Sequence, residues 1–164
     1  MKIAWETNAG VREAAAKFFV ANIKADPAYI SHGEVQCGLS VDGVTWADDL
    51  ETRFVADLAD IDADQHLAVM RDDQGAMIAV ALVQWVDTPR VKFGVIEDLA
   101  VPAQKRSSGL GQKMMLWIED EAAKRQCRWL FLESGKNNLR AHSFFERHGF
   151  REMSHVFIKP VGGK

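Results

Sequence analysis

The chain has 164 residues, 48% of them hydrophobic and 26% charged, with a formal net charge of −3 at pH 7. A chain of this length fits one domain with its own core, so a single domain over residues 1–164 is expected. The near-neutral charge argues against general binding to nucleic acid or to membranes. Cys37 and Cys127 lie far apart without a metal-binding pattern, so neither a disulfide scaffold nor a metal site is predicted. No signal-peptide pattern opens the chain and no apolar run approaches about 18 residues, which predicts a cytoplasmic protein.

The amino-terminal half is predicted to contain a strand, two helices and a β-hairpin. Apolar residues recur every three or four positions in both helical segments. The predicted elements are a strand at 2–6, a helix that Thr7 or Asn8 caps, a helix at 46–58, and strands at 66–71 and 76–86. The last two strands flank residues 72–75, whose Asp and Gly content is typical of a hairpin turn. We expect the connection over residues 26–45 to help form a pocket.

The carboxy-terminal half is predicted to alternate strands with helices. The elements are a strand at 91–101, a helix at 111–124, a strand at 128–132, a helix at 138–148 and a strand at 150–159. In the first of these strands a period of two places Phe93, Val95, Glu97, Leu99 and Val101 on one face. Glu97 is therefore expected to be an acid among apolar neighbours, and Asp98 to face the other way. The pattern predicts a mixed α/β fold.

A glycine loop lies between the strand at 91–101 and the helix that follows it. Its sequence is Arg106-Ser107-Ser108-Gly109-Leu110-Gly111. Glycines lack the Cβ atom that would keep a ligand from the backbone, and the first amides of a helix have no partner within that helix. The partial positive charge at a helix start adds to these amides, so the loop would suit a phosphate. A dinucleotide-binding fingerprint fails at Met114, and no lysine followed by serine or threonine completes a Walker A loop.

This loop resembles motif A of the GNAT superfamily of acyl-CoA-dependent N-acyltransferases, R/Q-x-x-G-x-G/A, residue for residue. Residues 138–150 are similar to a second family pattern, N-x-x-A-x-x-F-Y-x-x-x-G-F, although Phe145 stands where the family has tyrosine. The resemblance covers residues 80–159 with specific residues, and the amino-terminal half through its element order. It implies a GNAT-like fold of order β-α-α-β-β-β-α-β-α-β, in which strands 4 and 5 splay apart to admit an acyl-CoA arm.

The resemblance further implies acetyl-CoA as co-substrate and no metal. Phosphate contacts are expected from the loop amides, with Lys105 and Arg106 as charge partners, and pantetheine contacts from the end of the fourth strand. The Leu99 amide would also polarise the thioester carbonyl, and Asn138 would either meet the cofactor or act as an ordinary N-cap. The predicted cofactor-binding residues are Leu99, Ala100, Val101, Arg106, Ser107, Ser108, Gly109, Leu110, Gly111, Gln112, Asn138 and Phe145.

Catalysis of amine acetylation calls for a base, because a protonated alkylamine is a poor nucleophile at neutral pH. Glu97 is the predicted base, since acids often occupy the similar position in the family; a structural ion pair or exposure to solvent is the alternative. Asp98 is the second choice. Phe145 has no hydroxyl, so the proton for the leaving thiolate would come from Ser143, His142, water or the acceptor ammonium.

The acceptor is expected to be a small cationic amine, such as an aminoglycoside, a polyamine or an amino-acid-like compound. Acidic residues dominate 41–73 and basic ones 104–151, which suits a cationic acceptor and a polyanionic cofactor. Tyr29, Trp46 and Trp85 are candidate walls of the acceptor pocket, with core packing as the alternative for each. Direct attack in a ternary complex is the expected reaction; protein or peptide acetylation and a non-catalytic acyl-CoA sensor are alternatives. A homodimer is expected from the resemblance alone.

Overall fold

The computed structural model describes residues 1–161 and divides them into two compact units. One unit comprises Met1–Ala25 and Asp48–Glu133; the other comprises Asp26–Ala47 and the described residues from Ser134 onward. In chain order the elements are β1 (Lys2–Glu6), α1 (Ala9–Ile23), a 3-10 turn (Pro27–Tyr29), α2 (His32–Gln36), α3 (Leu50–Ala59), β2 (Gln65–Arg71), β3 (Met77–Asp87), β4 (Lys92–Ala100), a 3-10 turn (Ala103–Lys105), α4 (Leu110–Lys124), β5 (Trp129–Leu132) and α5 (Leu139–Arg147). Within residues 1–161, no helix has the length and apolar character needed to cross a lipid bilayer.

A five-stranded sheet forms the centre of the first unit, and its strands follow one another in chain order. The pairs from β1 to β4 are antiparallel, whereas β4 and β5 are parallel. The parallel pair is possible because α4 carries the chain back across the sheet between the two strands. The structure thus confirms the predicted mixed α/β fold and the first five predicted strands.

Helices lie against both faces of this sheet, as the buried apolar runs of β2 and β3 require. Trp5 of β1 donates from Nε1 to Glu121 Oε2 of α4 at 3.0 Å, which places α4 on the face that carries Trp5. On the other side α1 packs against α3, where the rings of Phe19 and Phe54 lie 5.9 Å apart. The central strands of the sheet therefore lie between two helical layers.

A β-bulge interrupts the ladder between β3 and β4. Val83 of β3 pairs with Ile96, and the preceding residue, Leu82, pairs with Asp98. Glu97 thus has no partner in the register of β3. An extra residue of this kind disrupts the ladder locally and re-aims the side chains beside it.

The bulge changes which residues share a face of β4. Strict alternation predicted Asp98 on the face opposite to Val95, and this prediction is wrong. Asp98 pairs with Leu82 and Val95 pairs with Gln84, and those two partners stand two residues apart in β3. Residues two apart in a strand point to the same face, so Asp98 and Val95 share a face. The alternation fails because Glu97 adds one residue to β4 without a counterpart in β3.

The second unit contains the short helix α2 and the helix α5, and its carboxy-terminal segment differs from the prediction. Residues 150–160 form neither helix nor strand, and residues 151–161 are exposed, so the strand predicted at 150–159 is wrong. The segment includes Val156, Phe157 and Ile158, whose side chains favour strands. Strand formation needs a paired neighbour as well as such side chains, and in the described part of the chain residues 150–160 pair with no strand.

Candidate active site

Glu97 is held by a side chain from the neighbouring end of β2. Gln65 donates from Nε2 to Glu97 Oε2 at 2.8 Å across 32 residues of sequence. Gln65 pairs with Gln84 of β3, so the Glu97 carboxylate lies on the face of the sheet that carries these two glutamines. Sequence analysis did not identify Gln65, because no motif or spacing connects it to Glu97; the pairing of three strands brings them together.

The environment of Glu97 favours its neutral form. Burial of the half-buried carboxyl raises its pKa above the ordinary value, the hydrogen bond from Gln65 acts in the opposite direction, and the negative charge of Asp62 raises the pKa further. A carboxylate whose pKa is displaced upward toward the working pH is a better general base than an ordinary surface acid. Asp98, the second predicted acid, lies in the adjacent position of β4.

The glycine loop adopts two left-handed backbone conformations before α4 begins. Ser107 has φ +68° and Gly109, which is the N-cap of α4, has φ +83°. The Ser108 hydroxyl donates to the Lys105 carbonyl at 2.5 Å, and the Ser108 amide donates to the same oxygen at 3.2 Å. A left-handed conformation is unfavourable for serine, and such strain often accompanies a binding loop. Turns of this kind aim successive amides into one concavity that suits an anion.

The first amides of α4 are hydrogen-bond donors that follow this turn. Lys113 is the first residue of the helix whose amide donates to a backbone carbonyl, that of Gly109, at 3.0 Å. No acceptor among residues 1–161 takes a hydrogen bond from the amides of Leu110, Gly111 or Gln112, and no side chain caps the helix. The start of a helix carries a partial positive charge in addition to these amides. The residues present therefore fit a phosphate group.

The Arg106 side chain forms a hydrogen bond that ties the loop to α1. Its Nη2 donates to the carbonyl of Asn22, near the end of α1, at 3.0 Å. The last carbonyls of a helix carry a partial negative charge, so this contact is favourable for an arginine. Lys105 is exposed, as are Ser107 and Ser108. Lys105 is accordingly the more accessible cation of the loop.

The end of β4 leads directly into this loop. The parallel ladder with β5 covers four pairs, from Phe93 with Trp129 to Ile96 with Leu132. β4 continues to Ala100, still paired with β3, whereas β5 ends at Leu132. Beyond the last pair, Leu99 and Ala100 lie along an edge of β4 that no strand formed by residues 1–161 occupies, and Val101 follows the strand. An extended ligand with peptide groups could hydrogen-bond along such an edge.

Of the predicted aromatic pocket residues, Trp85 lies on the other face of the sheet. It follows Gln84 in β3, so its side chain points away from the face that carries Gln65 and Glu97. Its ring lies 6.1 Å from that of Trp5, and the Arg125 guanidinium lies 4.8 Å from its centroid. The structure does not bring Trp85 together with Glu97. Trp85 instead packs against Trp5, which in turn contacts Trp117 and Glu121 of α4.

Four further predicted site residues belong to the second unit. Asn138 is buried and caps α5, accepting at Oδ1 from the Ala141 amide at 3.2 Å. Phe145 packs within the unit, with ring centroids 5.4 Å from Phe144 and 6.1 Å from Phe150. These placements make the N-cap role of Asn138 an observed one. The other two are Tyr29, which ends the turn Pro27–Tyr29, and Trp46, which forms an isolated β-bridge with Ser40.

No group of three or more His, Cys, Asp or Glu side chains within residues 1–161 lies close enough together to hold a metal ion. The site consists of backbone amides, one carboxylate with its glutamine partner, and the lysine and arginine of the loop. Such a set of groups can bind an anion and accept a proton.

Comparisons with known proteins indicate the family and the fold of the chain. An aminoalkylphosphonate N-acetyltransferase from Salmonella typhimurium is 24% identical over 114 residues, which are 66% of this chain and 70% of that protein. Among solved structures, a mutant BH1408 protein from Bacillus halodurans matches 98% of this chain and 99% of its own, with a TM-score of 0.71 and 19% identity. The aminoglycoside 6'-N-acetyltransferase AAC(6')-IG from Acinetobacter haemolyticus matches over 100% of both chains, with a TM-score of 0.65 and 16% identity.

The match that decides the family covers the greater part of the chain. The sequence model of the acetyltransferase (GNAT) family matches residues 36–150, which include β4, the glycine loop, α4 and just over half of the described second unit. This match confirms the resemblance inferred from the loop and from residues 138–150. The chain belongs to the acetyltransferase (GNAT) family.

Proposed function

We propose that this protein transfers the acetyl group of acetyl-CoA to a primary amine of a small cationic molecule, by direct attack in a ternary complex. Family membership supports acyl transfer as the class of chemistry. Two of its relatives act, by name, on an aminoalkylphosphonate and on an aminoglycoside. Both names describe small molecules that carry amino groups.

The observation that carries this proposal is the set of amides at the start of α4. Leu110, Gly111 and Gln112 point N–H groups with no acceptor in the described chain toward the loop that precedes them. The pyrophosphate of coenzyme A would supply those acceptors, and Lys105 would supply an accessible positive charge. The left-handed Gly109 allows the loop to turn without a side chain at its tip.

The open edge of β4 supports the position of the acyl arm. Pantetheine contains two amide groups and could pair with the backbone at Leu99 and Val101 as an added strand would. This arrangement would direct the thioester toward the bulge that carries Glu97, since both belong to the same strand. Binding at the loop and chemistry at the bulge would then be linked by one extended ligand.

The reaction uses Glu97 as the base. The bound ammonium group gives a proton to the Glu97 carboxylate, and the neutral amine attacks the thioester carbonyl; the C–N bond forms and the C–S bond breaks. After the attack the nitrogen of the acceptor carries a positive charge and one surplus proton. It gives this proton, directly or through water, to the departing thiolate, because Phe145 has no hydroxyl to donate. The upward displacement of the Glu97 pKa supports its role as the acceptor of this proton.

A non-catalytic acyl-CoA sensor is the second candidate, and Phe145 is the observation that favours it. The family has a tyrosine at this position, whereas the Phe145 ring here packs against Phe144 and Phe150. A sensor would keep the phosphate-binding loop and would bind acetyl-CoA without turnover.

Calorimetric titration with acetyl-CoA and with CoA, followed by a thiol-release assay over a panel of amines, tests the proposal. The proposed function predicts saturable binding of both ligands and release of free CoA with at least one small cationic amine. Binding of both ligands without release on any amine would favour the sensor. Absence of binding would reject both.

A further inference from the structure

The side-chain amide of Gln65 is fixed at both of its ends. Its Oε1 accepts from the Asp62 amide at 2.9 Å, and its Nε2 donates to Glu97 Oε2 at 2.8 Å. The Gln65 backbone amide also donates to the Asp62 carbonyl at 3.0 Å. Two hydrogen bonds to Asp62 therefore anchor Gln65 to the α3–β2 connection, in addition to its bond to Glu97.

This anchoring determines which way round the amide lies. If the amide were flipped, its NH2 group would face the N–H of Asp62, and two donors cannot form a hydrogen bond. Gln65 must therefore present its NH2 group, and not its oxygen, to Glu97. A donated hydrogen bond favours the ionised form of a carboxyl group.

Glu97 needs such a partner because it lies in the bulge. Its neighbours Ile96 and Asp98 pair with β3, but Glu97 has no partner in that ladder, so the register does not fix the direction of its side chain. The hydrogen bond from Gln65 engages Oε2. Within residues 1–161, no donor is bonded to Glu97 Oε1.

We infer that Gln65 is a positioning residue for acetyl transfer: it holds Glu97 Oε2 and leaves Oε1 to accept the proton of the acceptor amine. This inference rests on the proposed function. Gln65 itself does not exchange a proton. It fixes the rotamer of the base and keeps the base ionised against the burial of its carboxyl group.

The surroundings of Glu97 oppose its ionised form, and the hydrogen bond from Gln65 acts against them. Asp62, on the α3–β2 connection, acts on Glu97 with a negative charge, and Asp98 follows it on the same strand. Both burial and the Asp62 charge raise the pKa of Glu97, and the bond from Gln65 lowers it. Without the bond, Glu97 would hold its proton to higher pH and would be a base over a narrower range.

Two substitutions at position 65 separate positioning from a purely structural role. Gln65→Glu keeps an oxygen for the Asp62 amide but cannot donate to Glu97 when ionised, and it adds a repulsive charge. Gln65→Leu removes both side-chain hydrogen bonds, the one from the Asp62 amide and the one to Glu97. If Gln65 only anchors the chain, Gln65→Glu should be nearly silent and Gln65→Leu damaging. If it positions Glu97, both should impair catalysis, and Gln65→Glu should do so at least as strongly.

Gln84→Glu is the matched control. Gln84 is half-buried and is the cross-strand partner of Gln65 on the same face, so this variant adds the same charge nearby while the bond to Glu97 remains. We expect Gln65→Glu to lower kcat at pH 7 by about tenfold or more, with the affinity for acetyl-CoA unchanged. Its acid limb should move to higher pH by more than that of Gln84→Glu.

A carboxyl-detected NMR titration of Glu97, assigned through Glu97→Gln, provides a readout that does not depend on activity. The inference predicts a higher midpoint for Glu97 in Gln65→Glu and in Gln65→Leu than in the wild-type protein. An unchanged midpoint, or identical pH profiles for Gln65→Glu and Gln84→Glu, would overturn the positioning role of Gln65 and leave the proposed function intact. A wild-type protein that acetylates no amine would overturn the proposed function and the catalytic part of this inference with it.

Discussion

Ile96 and Leu132 form the last pair of the parallel ladder between β4 and β5. After this pair β4 continues for four more residues, through the bulge at Glu97 to Ala100, and within residues 1–161 no strand pairs with it on that side of the sheet. The loop and the first turn of α4 follow directly. The open backbone edge, the candidate base and the donors for an anion thus occur within one continuous stretch of the chain.

The left-handed Gly109 should be needed for cofactor binding beyond its contribution to stability. A Cβ at Gly109 would meet no atom within 4 Å, so Gly109→Ala costs only the unfavourable φ, about 1–2 kcal/mol, which lowers Tm by roughly 2–8 °C. We expect it also to weaken CoA binding about tenfold or more, since the loop amides lose their alignment. Calorimetric titration measures the affinity and thermal unfolding the stability.

Gly75 offers a matched control for this substitution. It has φ +85° in the turn between β2 and β3, and a Cβ there would likewise meet nothing within 4 Å. Gly75→Ala should lower Tm by a similar amount and leave the affinity for CoA unchanged. Equal losses of affinity in the two variants would show that the effect is general destabilisation and not a property of the loop.

Lys105 and Arg106 should differ in what they contribute. Arg106→Ala removes the bond to the Asn22 carbonyl, which should cost about 1 kcal/mol of unfolding free energy and lower Tm by a few degrees. Lys105→Ala removes an exposed charge and should leave Tm within error while weakening CoA binding, more strongly at low salt. Thermal unfolding and titration at two ionic strengths check both. A large Tm loss in Lys105→Ala with unchanged affinity would contradict this division.

Glu97→Gln should remove the base without removing the cofactor site. We expect the acetylation rate to fall by about 10²-fold or more with the affinity for acetyl-CoA nearly intact. In the wild-type protein the rate should rise with pH through the elevated pKa of Glu97, because only the ionised carboxylate accepts a proton. Asp98→Asn is the comparison: loss of the acid limb in that variant, with the limb retained in Glu97→Gln, would transfer the role to Asp98.

Glu97→Gln should also stabilise the protein at neutral pH. Folding raises the pKa of Glu97 above its ordinary value. At a pH between these two pKa values the native state binds more protons than the unfolded state, so the free energy of unfolding falls as the pH rises through the elevated pKa. Glu97→Gln carries no charge and avoids this loss. Its Tm should exceed that of the wild-type protein near pH 7, with a smaller difference near pH 4. A Tm gain that is equal at both pH values would contradict this origin.

Much of the fold follows from local sequence patterns. The helical spacing of Leu50, Phe54 and Leu58 predicts α3, and all three side chains are buried. The pattern of Gly109 and Gly111 identifies the start of α4 and the loop before it. These predictions succeed because a helix period or a glycine turn depends on residues that are close together in the chain.

Features that depend on distant residues could not be predicted in the same way. The bulge at Glu97 arises from the register of β3 against β4, and one unpaired residue reverses the face of Asp98. Gln65 reaches Glu97 only through the pairing of β2, β3 and β4. The segment at 150–159 has strand-forming side chains but pairs with no strand in the part of the chain that the structure describes. In each case strand pairing decides the outcome, and pairing is not a local property of the sequence.

The central claim is that the amides at the start of α4 bind the pyrophosphate of coenzyme A. Amide NMR spectra of ¹⁵N-labelled protein, recorded during titration with CoA, test it most directly. The account predicts saturable shifts of the Leu110, Gly111 and Gln112 amides, accompanied by shifts at Leu99 and Val101 along the open edge of β4. Binding of CoA that leaves the three α4 amides unshifted, or the absence of binding at saturating ligand, would contradict it.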